Sequence, residues 1–197
     1  MKKLTLIAAI LLCSITMSAQ SHDFEVQVDL NAGLGLSQKS GFATGIDAAV
    51  GFLPTESLFL GFGAGFDFLK AAYTVVEDEI TKNGEFIVPL FLRGKYTLAS
   101  MTSSTSLIEP FVMADLGYNA SIGGIKMGNG EGIKGTHNIK GMFVEPKIGI
   151  SINNMYNIGL GLRMQHFNYK YFSAKSAEAK VKGAFASDLC LHFGLVF

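Results

Sequence analysis

Glu25, Asp29, Asp47 and Asp67, and then Glu109, Asp115, Glu145 and Asp188, each fall in stretches where alternate positions are apolar. Both arginines of the chain, Arg93 and Arg163, share that parity with Lys95 and Lys147. Side chains at period two stand on one side of an extended segment, so these charges are expected to converge inside whatever the segments enclose. An enclosed charge must be paired or hydrated, because burying it alone costs several kcal/mol. The set reads first as a salt-bridged filling of a closed interior. Its alternative use is a narrow conduit or a site for a small polar ligand.

Other residue types with chemical potential are sparse. His166 and Ser187 lie on the opposite parity, and a hairpin centred about Lys175 makes them diagonal neighbours. A nucleophile beside a base is the minimum for acyl transfer, but no well-placed third carboxylate accompanies them, and no enzyme is expected. His22 and His137 lie outside the periodic segments, and His192 is expected to point inward with no companion at ligand spacing. The run Glu77, Asp78, Glu79 lacks the glycine and spacing of a calcium loop. GGIKMGNGEGIKG has no GK[ST] and no following helix, so it is no phosphate cradle. Neither a metal nor a cofactor is expected.

The totals narrow the class. A chain of 197 residues is one domain's worth, and 49% apolar against 16% charged residues is too oily for an ordinary soluble surface. There are 23 glycines and 4 prolines without a triplet repeat, which favours closely packed strands over collagen. The opening MKKLTLIAAILLCSITMSAQ has two lysines, an apolar run and small residues before Gln20, the pattern of a secretory leader over residues 1–19. Without Lys2 and Lys3, 14 bases face 16 acids, net −2, and nucleic-acid binding is excluded. Of the two cysteines, Cys13 would leave with the leader, while Cys190 stays; no disulfide frame is expected.

Residues 20–197 carry the alternation. Phe24 to Leu36 places seven apolar side chains on one face, and the pattern returns near 42–52, 60–68, 86–98, 108–119, 142–152, 158–167 and from Ala184 onward. Within the fifth segment Phe111 and Met113 break it and are expected to point inward. A sandwich would need a large, well-charged outer face, whereas here glycine and carboxylates sit on the polar parity and the apolar parity carries almost no charge. That sidedness predicts an all-β, eight-stranded antiparallel up-and-down barrel whose apolar face meets lipid. Short connections near PTES and NNMY alternate with expected outer loops at AAYTVVEDEITKNGE, IGGIKMGNGEGIKGTHN and NYKYFSAKSAEAKVKG. Leu189, Leu191, Phe193, Leu195 and Phe197 form the lipid side of the closing strand, expected to pair with the first. They resemble the terminal signal read by the outer-membrane assembly machinery.

At FIVPLFLRGKY, Phe86 to Tyr96, the chain resembles the PorT-like outer-membrane β-barrel family. The resemblance implies a small barrel and, through the PorT members, a link to protein secretion. It transfers no functional residue. The sequence therefore predicts an exported, integral protein of the cell outer membrane, solvated by its lipid. Its expected role is structural or interactive, with outer loops meeting surface ligands or a secretion-system partner. The alternatives are a porin-like conduit or small-molecule-binding barrel, and after those a lipid-modifying enzyme.

Overall fold

The computed structural model describes residues 24–36, 41–76, 79–98, 107–127, 140–172 and 179–197. The leader, and with it the boundary at residue 19, lies outside them. The described residues form eight strands: β1 (Phe24–Gly35), β2 (Phe42–Thr55), β3 (Leu58–Val76), β4 (Glu79–Thr97), β5 (Ile108–Met127), β6 (Gly141–Ile152), β7 (Tyr156–Phe172) and β8 (Ala179–Val196). Each pairs antiparallel with its neighbour in sequence, and β1 pairs with β8 from Gln27↔Val196 to Gly35↔Asp188. The ring is closed, so no strand edge is left to recruit another chain.

The alternation resolves as expected. Leu30, Leu92 and Ile148 on the outer parity are 54%, 62% and 65% exposed, while Asp29, Arg93 and Lys147 beside them are buried. Such an outward apolar surface is stable only where acyl chains solvate it. Phe111 and Met113 do point inward. The interior also holds apolar groups that parity arguments alone undervalued, including Phe59, Phe91 and Phe143 packed with Ala49.

Small residues opposite large ones let the interior close. Gly45 faces Asp67 across the β2–β3 ladder and Asp47 faces Gly65, so each carboxylate lies over a glycine of the neighbouring strand. A Cβ at Gly45 would stand 1.8 Å from Asp67 Oδ1. At the short-turn end, Asn153 and Asn154 both have φ of 54°, and Met155 N–H donates to Ile152 C=O at 3.1 Å. Two left-handed residues make the primed turn that matches strand twist, and asparagine tolerates that conformation.

Two irregularities mark the wall. Ile122 is an extra residue in β5 between the pairs Phe86↔Gly123 and Ile87↔Ser121, a bulge that leaves it facing outward. Between β6 and β7 the ladder runs Phe143↔Gln165, Val144↔Met164 and then resumes only at Lys147↔Gly161. Pro146 lies in that gap and has no N–H to give.

One expectation needs correcting. The stretch Ala71 to Glu85 is not a loop: β3 continues to Val76 and β4 starts at Glu79, with Thr74↔Thr81, Val75↔Ile80 and Val76↔Glu79 paired. Likewise β5 reaches Met127, β7 reaches Phe172 and β8 begins at Ala179. About 9 to 11 residues suffice to cross the hydrocarbon, so these strands of 17 to 20 residues extend beyond it. The physical reason is that ladder pairing needs no lipid, and threonine, valine and isoleucine favour strands in water as well.

Candidate functional site

The interior is the place where this fold gathers chemistry. Inward positions of all eight strands project into one enclosed column, and the ion pairs there are built from groups far apart in sequence. Arg93 on β4 lies opposite Asp115 on β5 and grips it with two parallel bonds, Nε to Oδ1 at 2.8 Å and Nη2 to Oδ2 at 2.9 Å. Its remaining nitrogen, Nη1, donates to Asp29 and, at 3.2 Å, to Gln27 Oε1, both on β1. One planar guanidinium thus spans the column from β4 and β5 to β1, using the fork geometry that lysine lacks. Lys147 on β6 completes the layer by donating to Asp115 Oδ2 at 2.6 Å.

A second layer is organised by Arg163 on β7. Its Nε donates to Glu145 Oε2 at 2.9 Å and its Nη1 to Asp67 Oδ2 at 2.6 Å, with Asp47 Oδ2 at 3.9 Å from Nη2. Asn31 bridges the two aspartates, donating to Asp47 at 2.9 Å and to Asp67 at 3.2 Å. Further toward the long-strand end, Asn119 donates to Gln165 at 3.1 Å and Gln165 to Asp188 at 2.6 Å. Ser121 donates to Glu85 there. The guanidiniums also lie against rings, Arg93 5.0 Å from the Phe91 centroid and Arg163 5.2 Å from that of Phe143.

Of the residues marked from sequence, Asp29, Asp47, Asp67, Arg93, Asp115, Glu145, Lys147 and Arg163 join these two ion-paired layers. Asp188 is held by Gln165 instead. Lys95 donates to Asn157 Oδ1 at 3.1 Å and lies 5.2 Å from the Phe111 centroid. Glu25 accepts from Gln27 at 2.6 Å. Glu25, Lys95 and Glu109 line a cavity of about 470 Å³ at the short-turn end, floored by Phe59 and Ser151. Ser151 Oγ is buried there without a hydrogen-bond partner.

Neutral amides stitch the layers: Gln27 and Asn31 lie on the polar parity of the first segment as expected, whereas Asn119, Asn157, Gln165 and buried Glu85 are not among the residues marked from sequence. Parity could have found these four as well, since each is an even number of positions from an inward charge on the same strand. The reading that His192 has no ligand-spaced companion is also corrected. Cys190 is two positions away on the same face, and Glu145 Oε1 lies 2.6 Å from His192 Nε2.

On the lipid side, Met164 pairs with Ser187 and His166 with Phe185, which makes Ser187 and His166 the expected diagonal neighbours. Among the described residues of β7 and β8, no carboxylate shares their outward parity. Outward Tyr96 and Tyr118 are 46% and 45% exposed, as rings at a membrane boundary should be.

No family model and no curated protein matches the chain. Among solved structures it is similar to the outer membrane protein OprG from Pseudomonas aeruginosa, with a TM-score of 0.55 at 10% identity over 89% of this chain and 95% of that one. It is also similar to Neisserial surface protein A, with a TM-score of 0.46 at 16% identity over 88% and 97% of the two chains. A third is the outer membrane enzyme PagL, with a TM-score of 0.45 at 15% identity over 86% and 98%. At such identities the shared property is the fold, and OprG carries it. A closed eight-stranded barrel with a lipid-solvated outer face and a charged interior is the architecture of an integral outer-membrane protein.

Proposed function

We propose that the chain is a non-conducting interaction scaffold of the outer membrane, a stapled barrel that presents its long-strand end to surface ligands or a partner protein. The observation that carries this reading is the pair of cross-column arginines. Arg93 reaches from β4 to β1 and Arg163 from β7 to β3, each multiply bonded, in a ring whose interior is only wide enough for side chains. A conduit would instead need a continuous hydrated path past both layers. Strands that continue beyond the hydrocarbon at the long end carry paired backbone past the membrane, where a ligand or partner can meet it. The likeness of Phe86 to Tyr96 to PorT-like strands makes a component of protein secretion the first partner to test. No enzymatic activity is part of this proposal.

Planar-bilayer recording of the refolded barrel tests it. The scaffold predicts no discrete openings for the wild-type chain. Discrete openings that change in Arg93→Ala would overturn it in favour of a conduit.

A second reading, a barrel that binds a small molecule from the short-turn side, is favoured by the cavity of about 470 Å³ there. That volume lies within the usual range of ligand sites, about 300 to 1,000 Å³. It is compatible with a stapled column above it.

A further inference from the structure

Glu145, Cys190 and His192 offer three different ligand atoms, a carboxylate oxygen, a thiol sulfur and an imidazole nitrogen, all within 4.8 Å of one another and all from buried residues. We propose that they form a binding site for one borderline divalent ion of the Zn²⁺ class, which ties β6 to β8 across the intervening β7. The proposal is independent of whether the barrel conducts.

The grouping is made by an absence of bulk. β6 and β8 are not neighbours; β7 lies between them, with Gly161 paired to Lys147 on one side and to Cys190 on the other. A Cβ at Gly161 would stand 2.8 Å from Glu145 Oε1 and 3.0 Å from His192 Nε2. Because Gly161 has no side chain, groups from the two flanking strands meet over its backbone. Cys190 and His192, two apart on β8, share one face, so the strand itself aims sulfur and nitrogen at the same point.

The donor set selects the ion. Thiolate and imidazole suit zinc and its neighbours, whereas calcium and magnesium ask for six or more oxygens. Zinc takes sulfur at about 2.3 Å and nitrogen or oxygen at about 2.0 to 2.2 Å, so small side-chain adjustments gather the three donors around it. Glu145 is already oriented for this: Arg163 holds Oε2 at 2.9 Å, with Lys147 also on that side at 3.8 Å, leaving Oε1 toward His192. Such outer partners are what fix a ligating carboxylate.

On binding, the Cys190 thiol releases its proton to solvent and sulfur bonds the ion; no electron is transferred.

Cobalt is the probe. The full chain carrying Cys13→Ser, so that Cys190 is its sole thiol, is refolded in detergent with Co²⁺ and freed of excess ion. The expected result is one Co²⁺ per barrel with a thiolate-to-cobalt charge-transfer band in the near ultraviolet, abolished by Zn²⁺ or by Cys190→Ala. Loss of even an outer partner typically weakens a site roughly 10- to 100-fold, so His192→Gln and Glu145→Gln should each weaken binding at least about tenfold. A folded barrel, judged by its changed mobility on boiling, that shows no such band overturns the proposal, as does cobalt bound with no sulfur signature. With a single thiol present, the spectrum of the Cys13→Ser chain decides even where a further variant does not fold.

Discussion

Asp47 on β2 lies directly opposite Gly65 on β3, and a single methyl group added at Gly65 would come within 1.9 Å of its Oδ1. The glycine is the space the carboxylate occupies. Gly65→Ala should therefore force Asp47 out of its layer and destabilise the barrel by about 1 to 3 kcal/mol, the usual cost of overpacking. Gly94→Ala, whose new methyl would meet only Leu60 Cδ2 at 3.7 Å, should be close to neutral. Urea unfolding of both variants in the same detergent makes the comparison.

Removing one cation from the column should cost more than removing bulk. Arg93→Ala leaves Asp29 and Asp115 without the guanidinium they share. Breaking a buried pair from one side typically costs about 3 to 5 kcal/mol. Arg93→Lys should recover only part of this, because an ammonium cannot make the paired bonds to Asp115 and still reach Asp29. Full recovery in the lysine variant would show that charge alone, and not the fork, holds the layer.

Leu92 and Arg93 are adjacent in sequence yet occupy opposite solvents. Leu92→Arg should cost roughly 2 to 4 kcal/mol if the position lies near the bilayer midplane, falling toward zero near either boundary. Folding into vesicles read by mobility on boiling tests this. An unchanged folded yield for arginine at Leu90, Leu92 and Tyr96 alike, which step along the outer face of β4, would contradict the lipid assignment of that face.

The three-residue connection Asn153 to Met155, with its two left-handed asparagines, makes a local test. Asn153→Val places a β-branched side chain at φ of 54°, a strained conformation worth about 1 to 3 kcal/mol. Asn154→Gly should be neutral or mildly stabilising. Denaturant midpoints of the two variants should move in opposite directions or one should not move at all.

Lipid composition of cells carrying His166→Ala or Ser187→Ala should match that of cells carrying the wild type. A lipid product lost in either variant would restore the enzymatic reading.

Parity in the sequence was enough to separate lipid side from interior, and with it Arg93, Arg163 and their carboxylates. Period two is a property of each strand alone, so it survives without knowledge of neighbours. What it could not show is which inward groups meet. Glu145 reaches His192 only because register puts Gly161 between β6 and β8, and register is a relation among strands. Hairpin length was misread for a similar reason. Ala71 to Glu85 loses the apolar alternation where the lipid ends, but Thr74, Val75 and Ile80 keep pairing in water.

Where the β6–β7 ladder lapses around Pro146, Glu145 and Arg163 reach over the same stretch with a side-chain bond of 2.9 Å. The seam is thus fastened from within the column and not along its backbone. Amide protons flanking it should trade with deuterium sooner than those of the continuous β4–β5 ladder, and sooner still once Arg163 is shortened. The wall's local breathing is thereby governed by the same guanidinium that fills its centre.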